Sequence, residues 1–338
     1  MSGWELEDAE REDVLTRRIL PLYFRDTPPS GEPPRLVLLA GQPGAGRSRA
    51  TGSLIAEHGS DLAVVSGDDL RAFHPRFPDL VSARSPEAVE GIARATAGWL
   101  RDCIRYAREN QRSLLLEGAF QDPAVAVATA ERFTTAGFQT RIVVVASRRA
   151  ESLLTVASRY LRDVHGSAPA RLVGRDVHDR ALEATRELVA AAAAAASVER
   201  LTILGRAGEV VFDAQRGSVD EPLHGARVAL ETAQSARLSR FDATQWLSEL
   251  HHVTEFAASR RDLPRGVTEL LVELHEIALR EVIPELHVPS DGKFTIAIEQ
   301  KMVARLVELR RSLPREQAVD AAAPVVAPVG PERGGISR

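Results

Sequence analysis

The chain has 338 residues, of which 44% are apolar, so it can form one large α/β domain and a smaller appendage. A formal net charge of -4 provides no basic field for nucleic-acid phosphates, so we expect no nucleic-acid partner. The N-terminus is acidic and the longest uncharged apolar run, 188–196, cannot span a bilayer, so we expect a cytoplasmic protein without membrane contact. Cys103 is the only cysteine, which excludes an intramolecular disulfide and a cysteine-based zinc cluster, and we expect it to be buried.

The first 34 residues are predicted to form a helix and a connector. Residues 5–24 carry apolar side chains at helical spacing among charged ones, and this pattern ends near Pro21. Prolines and a glycine between 28 and 34 are typical of a stiff connector. We therefore assign 1–34 to an N-terminal helix and its connection to the next unit.

Strands and helices alternate from residue 35 to residue 215. The predicted strands are 36–40, 62–66, 113–117 and 141–146, followed by a hairpin of 201–204 and 210–213 at the sheet edge. The predicted helices are 85–109, 123–136 and 181–197. This alternation indicates one α/β domain, 35–215, with a doubly wound and mainly parallel sheet.

The C-terminal third is predicted to be helical. Between 222 and 315 the apolar residues recur on single helix faces, which is the pattern of a helical appendage that packs on another surface. From 320 to 338 the composition is rich in Ala, Pro, Val and Gly with few large apolar side chains, and it predicts a disordered tail.

The strand at 36–40 leads into a glycine-rich stretch with the spacing G-x-x-x-x-G-x-[ST]. Its residues are Gly41, Gln42, Pro43, Gly44, Ala45, Gly46, Arg47 and Ser48. Gly41 and Gly46 allow the sharp turn that brings backbone N–H groups to phosphate oxygens, and Ser48 could bind Mg²⁺ through its hydroxyl. Arg47 stands where the usual pattern has Lys, and Arg49 stands where a dinucleotide site would need a third Gly. The motif therefore predicts a site for a mononucleotide such as ATP or GTP, with an ordinary glycine-rich turn as the alternative.

Two acidic residues follow predicted strands. Asp68 comes after the second strand and Glu117 ends the third, so both belong at the carboxyl edge of the sheet beside the glycine loop. Carboxylates at this edge could accept a proton from a substrate hydroxyl or position the substrate. The alternatives are that Asp68 or Asp69 caps a helix and that Glu117 is a surface carboxylate. His74 and Pro75 are predicted to form a turn.

Several arginines follow the fourth strand. They are Arg148, Arg149, Arg159, Arg162, Arg171 and Arg175. Transfer of a phosphoryl group requires cations on its equatorial oxygens, and an arginine-bearing segment can supply them. Because Arg makes up 41 of the 43 basic residues, any one of these side chains could equally be a solvated surface group.

Together these residues resemble the zeta-toxin family of P-loop kinases, from about Leu36 to Asp213. The matching pieces are the loop 41–48, the stretch 68–75, Leu116-Glu117-Gly118, Arg159-Tyr160 and the stretch 171–179. The sequence departs from the family at Arg47, at Arg101, where family members often carry Glu and where Asp102 is adjacent, and at Ala119, which replaces a small hydroxyl residue.

The resemblance implies a P-loop NTPase-like fold and a reaction. The family uses a nucleoside triphosphate and Mg²⁺ to phosphorylate the 3′-hydroxyl of the sugar in UDP-N-acetylglucosamine. It implies that Asp68 is the general base, that Glu117 contacts substrate, and that Arg159 and Arg171 clamp the phosphate. It also implies a small helical antitoxin as partner. Two alternatives stay open: an O-phosphotransferase acting on an antibiotic or metabolite, and a nucleotide-binding protein without turnover in which Arg47 silences the site.

Overall fold

The computed structural model describes residues 5–24, 32–79, 86–166, 171–217, 223–260, 262–289 and 292–313. Most of the predicted connector and the whole predicted tail at 320–338 lie outside these residues. The strands are β1 (Arg35–Ala40), β2 (Ala63–Ser66), β3 (Leu114–Gly118), β4 (Gln139–Ala146), β5 (Arg200–Gly205) and β6 (Val210–Gln215).

These strands form one six-stranded sheet in the order β2-β3-β1-β4-β5-β6. The first five strands in that order are parallel, and β6 pairs antiparallel with β5 at the edge. The predicted mainly parallel sheet and its edge hairpin are therefore confirmed. β1, which leads into the glycine loop, lies between β3 and β4 near the middle of the sheet.

Helices α1 to α12 precede, connect and follow these strands. They are α1 (Asp8–Val14), α2 (Leu20–Tyr23), α3 (Arg47–His58), α4 (Gly67–Leu70), α5 (Pro86–Glu109), α6 (Pro123–Thr135), α7 (Arg149–His165), α8 (Arg175–Ala194), α9 (Ala226–Ser235), α10 (Arg240–Ala258), α11 (Arg265–Ile277) and α12 (Lys293–Ser312). A π-helical stretch, Leu15–Ile19, joins α1 to α2, so the N-terminal helix continues past Pro21.

Helices cover both faces of the sheet because side chains alternate along each strand. Leu36 and Leu38 of β1 point to the core that α5, α6 and α8 share, and Val37 and Leu39 point to the core under α3. All four are fully buried, as expected for a central parallel strand. Cys103 of α5 is also fully buried in the first of these cores, and burial raises the pKa of its thiol to about 12.

The C-terminal helices pack on α7 in a core of their own. Trp246 and Leu250 of α10 and Leu271 and Leu274 of α11 are buried there against Leu153 and its neighbours on α7. The Trp246 Nε1–H donates to the carbonyl oxygen of Ala150 at 3.0 Å. The predicted C-terminal helices are thus present, and they pack against α7, the helix that follows β4.

Within the described ranges, no helix combines the length and apolarity needed to cross a membrane.

Candidate functional site

The glycine loop connects the end of β1 directly to α3 at the carboxyl edge of the sheet. Gly44 and Gly46 have φ values of 81° and 106°, which L side chains rarely adopt, and Gly46 immediately precedes the helix. A Cβ atom on Gly44 would overlap the carbonyl oxygen of Ser152 and lie 3.0 Å from its carbonyl carbon. The loop therefore rests against the first turn of α7 with no space for a side chain.

The side chain of Arg47 pairs with Glu117 across the edge of the sheet. Its Nε lies 3.3 Å from the Glu117 Oε1, and both side chains are more than four-fifths buried, at 18% and 19% exposure. The Thr51 hydroxyl donates to the other Glu117 oxygen at 3.0 Å. β1 and β3 are adjacent with Leu39 opposite Glu117, which places the end of β3 beside the loop. The structure thus brings together two residues for which the sequence suggested separate contacts, one with phosphate and one with substrate.

Ser48 is the second residue of α3, and it is exposed. At a helix N-terminus the first backbone N–H groups have no partner within the helix and attract negative charge. A hydroxyl at this position beside a bound phosphate can contribute one oxygen ligand to a magnesium ion. The exposed hydroxyl of Ser48 at this helix N-terminus is therefore compatible with the predicted magnesium site, in which Ser48 would supply one ligand.

Asp68 lies at the start of α4, after β2, and it does not cap that helix. The cap is Ser66, whose hydroxyl accepts the backbone N–H of Asp69 at 3.1 Å and donates to the Asp69 carboxylate at 2.7 Å. Asp69 therefore completes the capping arrangement, and the alternative in which Asp68 is the cap is wrong. The Asp68 carboxylate is exposed, and its nearest cation is Arg71 at 3.3 Å.

Arg171 reaches Asp68 from the opposite side of the site. Its Nη1 lies 3.9 Å from the Asp68 Oδ1. Arg171 follows α7, which starts from β4, whereas Asp68 follows β2, and these strands are three positions apart in the sheet. Three strand spacings correspond to roughly 14 Å, so this contact joins residues that follow strands on either side of β1 and β3. Burial, together with the nearby charge of Arg171, lowers the pKa of Arg71.

Of the other arginines, Arg162 is exposed and its Nε–H donates to the Ser158 carbonyl oxygen of the same helix at 3.4 Å, and the remaining four divide into two groups. Arg159 is exposed, makes no ion pair with any described residue, and lies seven positions after Ser152, so it shares the α7 face that contacts the glycine loop. Three other arginines, which lie at the start of α7 or α8, form ion pairs with carboxylates. These pairs are Arg148 with Glu285 at 2.6 Å, Arg149 with Asp179 at 2.7 Å, and Arg175 with Glu273 at 3.8 Å.

Asp102 does not join the site. It is buried, and it accepts hydrogen bonds from Arg11 of α1 and Arg105, each at 2.8 Å. It attaches the N-terminal helix to α5, so the acidic residue next to Arg101 supplies no substrate contact.

His74 and Pro75 form the predicted turn.

Sequence reasoning missed the roles of two residues, Arg206 beside the loop and Phe120 after β3. Arg206, in the turn between β5 and β6, donates to the carbonyl oxygen of Gly44 at 2.8 Å and to the Thr155 hydroxyl at 2.7 Å. The glycines around Arg206 marked a turn, but no sequence signal tied that turn to a loop 162 positions away. Phe120, three residues after Glu117, has a φ of 42°, which is unusual for a bulky side chain. Such backbone strain is concentrated at functional sites.

A glycine loop that joins a central parallel strand to a helix N-terminus, with acids and arginines along the same sheet edge, defines a class. This chain is a P-loop protein with a kinase-like, nucleotide-binding fold. The comparison with protein families is more specific, since the model of the Zeta toxin family matches residues 22–217, more than half of the chain. The chain belongs to the zeta-toxin family.

Relatives and solved structures agree with this assignment. The chain is 25% identical over 154 residues to a toxin zeta of Enterococcus hirae, covering 45% of this chain and 54% of that protein. It is 24% identical over 217 residues to toxin PezT of Streptococcus pneumoniae, covering 62% and 83%. The chain thus spans about half the length of the toxin zeta relative. The structure of the pneumococcal PezAT chromosomal toxin–antitoxin system is similar, with a TM-score of 0.64 and 20% identity over 75% of this chain and 99% of that one. At this identity the likeness concerns the fold.

Proposed function

We propose that the chain is an ATP-dependent kinase that phosphorylates a sugar hydroxyl of UDP-N-acetylglucosamine or of a related sugar nucleotide. The observation that carries this proposal is the approach of Arg171 to Asp68, two residues that follow strands on either side of the glycine-loop strand β1. It supports a cleft in which a carboxylate, an arginine and a phosphate site face one substrate. The resemblance to zeta toxins supplies the substrate class.

The proposed reaction assigns one role to each group. The acceptor hydroxyl oxygen attacks the γ-phosphorus of ATP, the bond from that phosphorus to the bridging oxygen breaks, and ADP leaves. Asp68, as general base, takes the hydroxyl proton. Arg159 and Arg171 neutralise the equatorial oxygens of the transferring group. Magnesium, held by Ser48, would supply further charge neutralisation at the phosphates.

In this proposal Glu117 contacts both Arg47 and the acceptor substrate. Its pairing with Arg47 supports a role in orienting the loop cation, and its place at the edge of β3 supports contact with the acceptor. Arg keeps the charge of the usual Lys but prefers planar, bidentate contacts, so it can neutralise phosphates while fitting the transition state less well.

The proposal extends to the organisation of the chain and to its partner. We propose that 35–215 is the kinase domain, that 222–315 is an appendage to it, and that 1–34 leads into it. The pneumococcal structure belongs to a toxin–antitoxin system, which supports a small helical antitoxin as the partner of this chain as well. These parts of the proposal place the protein in the cytoplasm, where its nucleotide substrates are.

The test measures transfer of labelled γ-phosphate from ATP·Mg²⁺ to UDP-N-acetylglucosamine. Asp68→Asn should lower the rate about 10²- to 10⁴-fold and leave ATP affinity nearly unchanged. Asp69→Asn is the matched control, because it weakens the bond that the Asp69 carboxylate accepts from the Ser66 cap and should lower thermal stability with little effect on the rate. If Asp68→Asn keeps most of the wild-type rate, Asp68 is not the base.

One observation favours a second candidate, a nucleotide-binding protein without turnover. The Arg47–Glu117 pair neutralises the cation that the loop would direct at the phosphates. ATP binding with no transfer to any sugar nucleotide would support this candidate. Transfer to an antibiotic or another metabolite, but not to sugar nucleotides, would instead indicate the other phosphotransferase.

A further inference from the structure

Three polar side chains at the base of the glycine loop are completely buried. They are Gln42, Ser152 and His178, each with 0% exposure. The Gln42 Nε2–H₂ group donates to the Ser147 carbonyl oxygen at 2.9 Å and to the Ser152 hydroxyl oxygen at 3.3 Å. The Ser152 hydroxyl lies 2.9 Å from the His178 Nε2. The second residue of the loop is therefore tied to α7 and α8 through hydrogen bonds that water does not reach.

The same chain of contacts continues into the C-terminal helices. The His178 Nδ1 lies 3.0 Å from the Asp179 carboxylate, which accepts two N–H groups of Arg149 at 2.8 and 2.7 Å. Arg149 also donates to Glu273 of α11 at 2.6 Å. Glu273 lies beyond residue 217, where the match to the family model ends. Six side chains thus connect the glycine loop to a helix outside the family match.

The partners assign the donors along this chain. With a neutral ring, the His178 Nδ1–H donates to Asp179 and the Nε2 can accept the Ser152 hydroxyl, whose oxygen accepts from Gln42; the Arg148 carbonyl oxygen, at 3.0 Å, is another acceptor within reach of that hydroxyl. Burial lowers the pKa of His178 although Asp179 opposes the shift, and this favours the neutral ring. The order Ser-His-Asp is also that of a nucleophilic triad, but a serine with no exposed surface meets no substrate. These residues therefore hold a geometry and take no part in covalent chemistry.

The loop also depends on α7 through shape. The carbonyl group of Ser152 fills the space that a side chain on Gly44 would need. The first turn of α7 is fixed in turn by the C-terminal helices, through the bond from Trp246 to Ala150 and the pair of Arg149 with Glu273. A shift of α11 would move Arg149 and Asp179, and the hydrogen bonds would carry that shift to Gln42.

We propose that the C-terminal helices hold the glycine loop in its phosphate-binding conformation through Glu273, Arg149, Asp179, His178, Ser152 and Gln42. Ser152 and His178 are then positioning residues. The proposal rests on the proposed function only in taking nucleotide phosphate as the ligand of the loop. It gives the appendage a role inside the same chain, in setting the affinity of the site.

The test compares Ser152→Ala and Glu273→Gln with the control Glu285→Gln. Glu285 also accepts from an arginine at the start of α7 at 2.6 Å, but the side chain of that arginine, Arg148, makes no hydrogen bond to the chain that leads to Gln42, and only its carbonyl oxygen contacts Ser152. Amide hydrogen exchange over residues 41–48 is measured without nucleotide, together with thermal stability and the dissociation constant of ATP·Mg²⁺. Ser152→Ala removes the partner of the buried His178 Nε2, and Glu273→Gln removes the charge that holds Arg149, so both test variants should raise loop exchange and the dissociation constant about tenfold.

Glu285→Gln should lower thermal stability as much as Glu273→Gln while exchange and affinity stay within about twofold of wild type. Unchanged loop exchange in both test variants, or an equal rise in the control, would overturn the proposal. A wild-type protein that does not bind ATP would refute the proposed function, whereas the exchange measurement would still decide whether the C-terminal helices position the loop.

Discussion

Gly44→Ala should destabilise the protein and disable the glycine loop. Gly44 has a φ of 81°, and placing an L side chain in that region costs about 1–2 kcal/mol. The added Cβ would also overlap the Ser152 carbonyl oxygen, a backbone atom that cannot rotate away, and such overpacking costs about 1–3 kcal/mol. Together these effects predict a loss of about 2–5 kcal/mol in the free energy of unfolding.

The matched control is Gly118→Ala, at the end of β3. There a Cβ would lie 3.6 Å from the Phe120 ring, in ordinary van der Waals contact, so the free energy of unfolding should stay within about 0.5 kcal/mol of wild type. Urea denaturation followed by tryptophan fluorescence measures both variants, and titration with ATP·Mg²⁺ reports on the loop. The reasoning fails if the two variants unfold at the same urea concentration and bind ATP equally well.

Three further predictions concern the site and the core. Arg47→Lys should speed phosphoryl transfer about tenfold without tightening ATP binding, because small misplacements at the transition state have large effects on rate; a slower variant would show that the loop requires Arg. Arg159→Ala and Arg171→Ala should each lower kcat about 100-fold with a smaller rise in the KM for ATP, whereas Arg162→Ala, on the same helix as Arg159, should leave kcat unchanged. Equal kinetics for all three variants would place Arg159 and Arg171 outside the reaction. Burial lowers the pKa of His275, so below about pH 6.5 the unfolded chain binds a proton that the folded protein does not. The free energy of unfolding should therefore fall by up to about 1.4 kcal/mol for each pH unit below that value. His275→Gln should reduce this dependence between pH 7.5 and 5.5, and an unchanged slope would contradict the prediction.

Most of the sheet could be predicted because its central strands are buried on both faces and appear as continuous apolar runs. The start of β4 was missed for a physical reason. Thr140 is polar, yet it is buried, since its hydroxyl donates to the Ser197 carbonyl oxygen at 2.6 Å. Similarly, α8 begins at Arg175, six residues before the predicted start, in a charged stretch. His178 and Asp179 are held there by Ser152 and Arg149, partners that periodicity cannot reveal.

The positions of the candidate site residues along the chain and at the sheet edge follow from local patterns, but the contacts among them do not. The glycine loop and the strand-end position of Asp68 follow from local patterns. The contact of Arg47 with Glu117 depends on β3 lying next to β1, and neither chain order nor composition determines that neighbour. Likewise, the capping role of Ser66 separates Asp69 from Asp68 only once the helix start is known.

The burial of Cys103 makes the protein a ready subject for site-directed labelling. The only thiol in the chain has no exposed surface, and its raised pKa keeps it protonated, so it should not react with maleimides while the protein is folded. A cysteine introduced on the exposed surface would then be the one reactive group, and the native residue need not be replaced. Conversely, the rate at which Cys103 itself is labelled would report how often the core beneath α5 opens, and so would measure local unfolding of the kinase-like core.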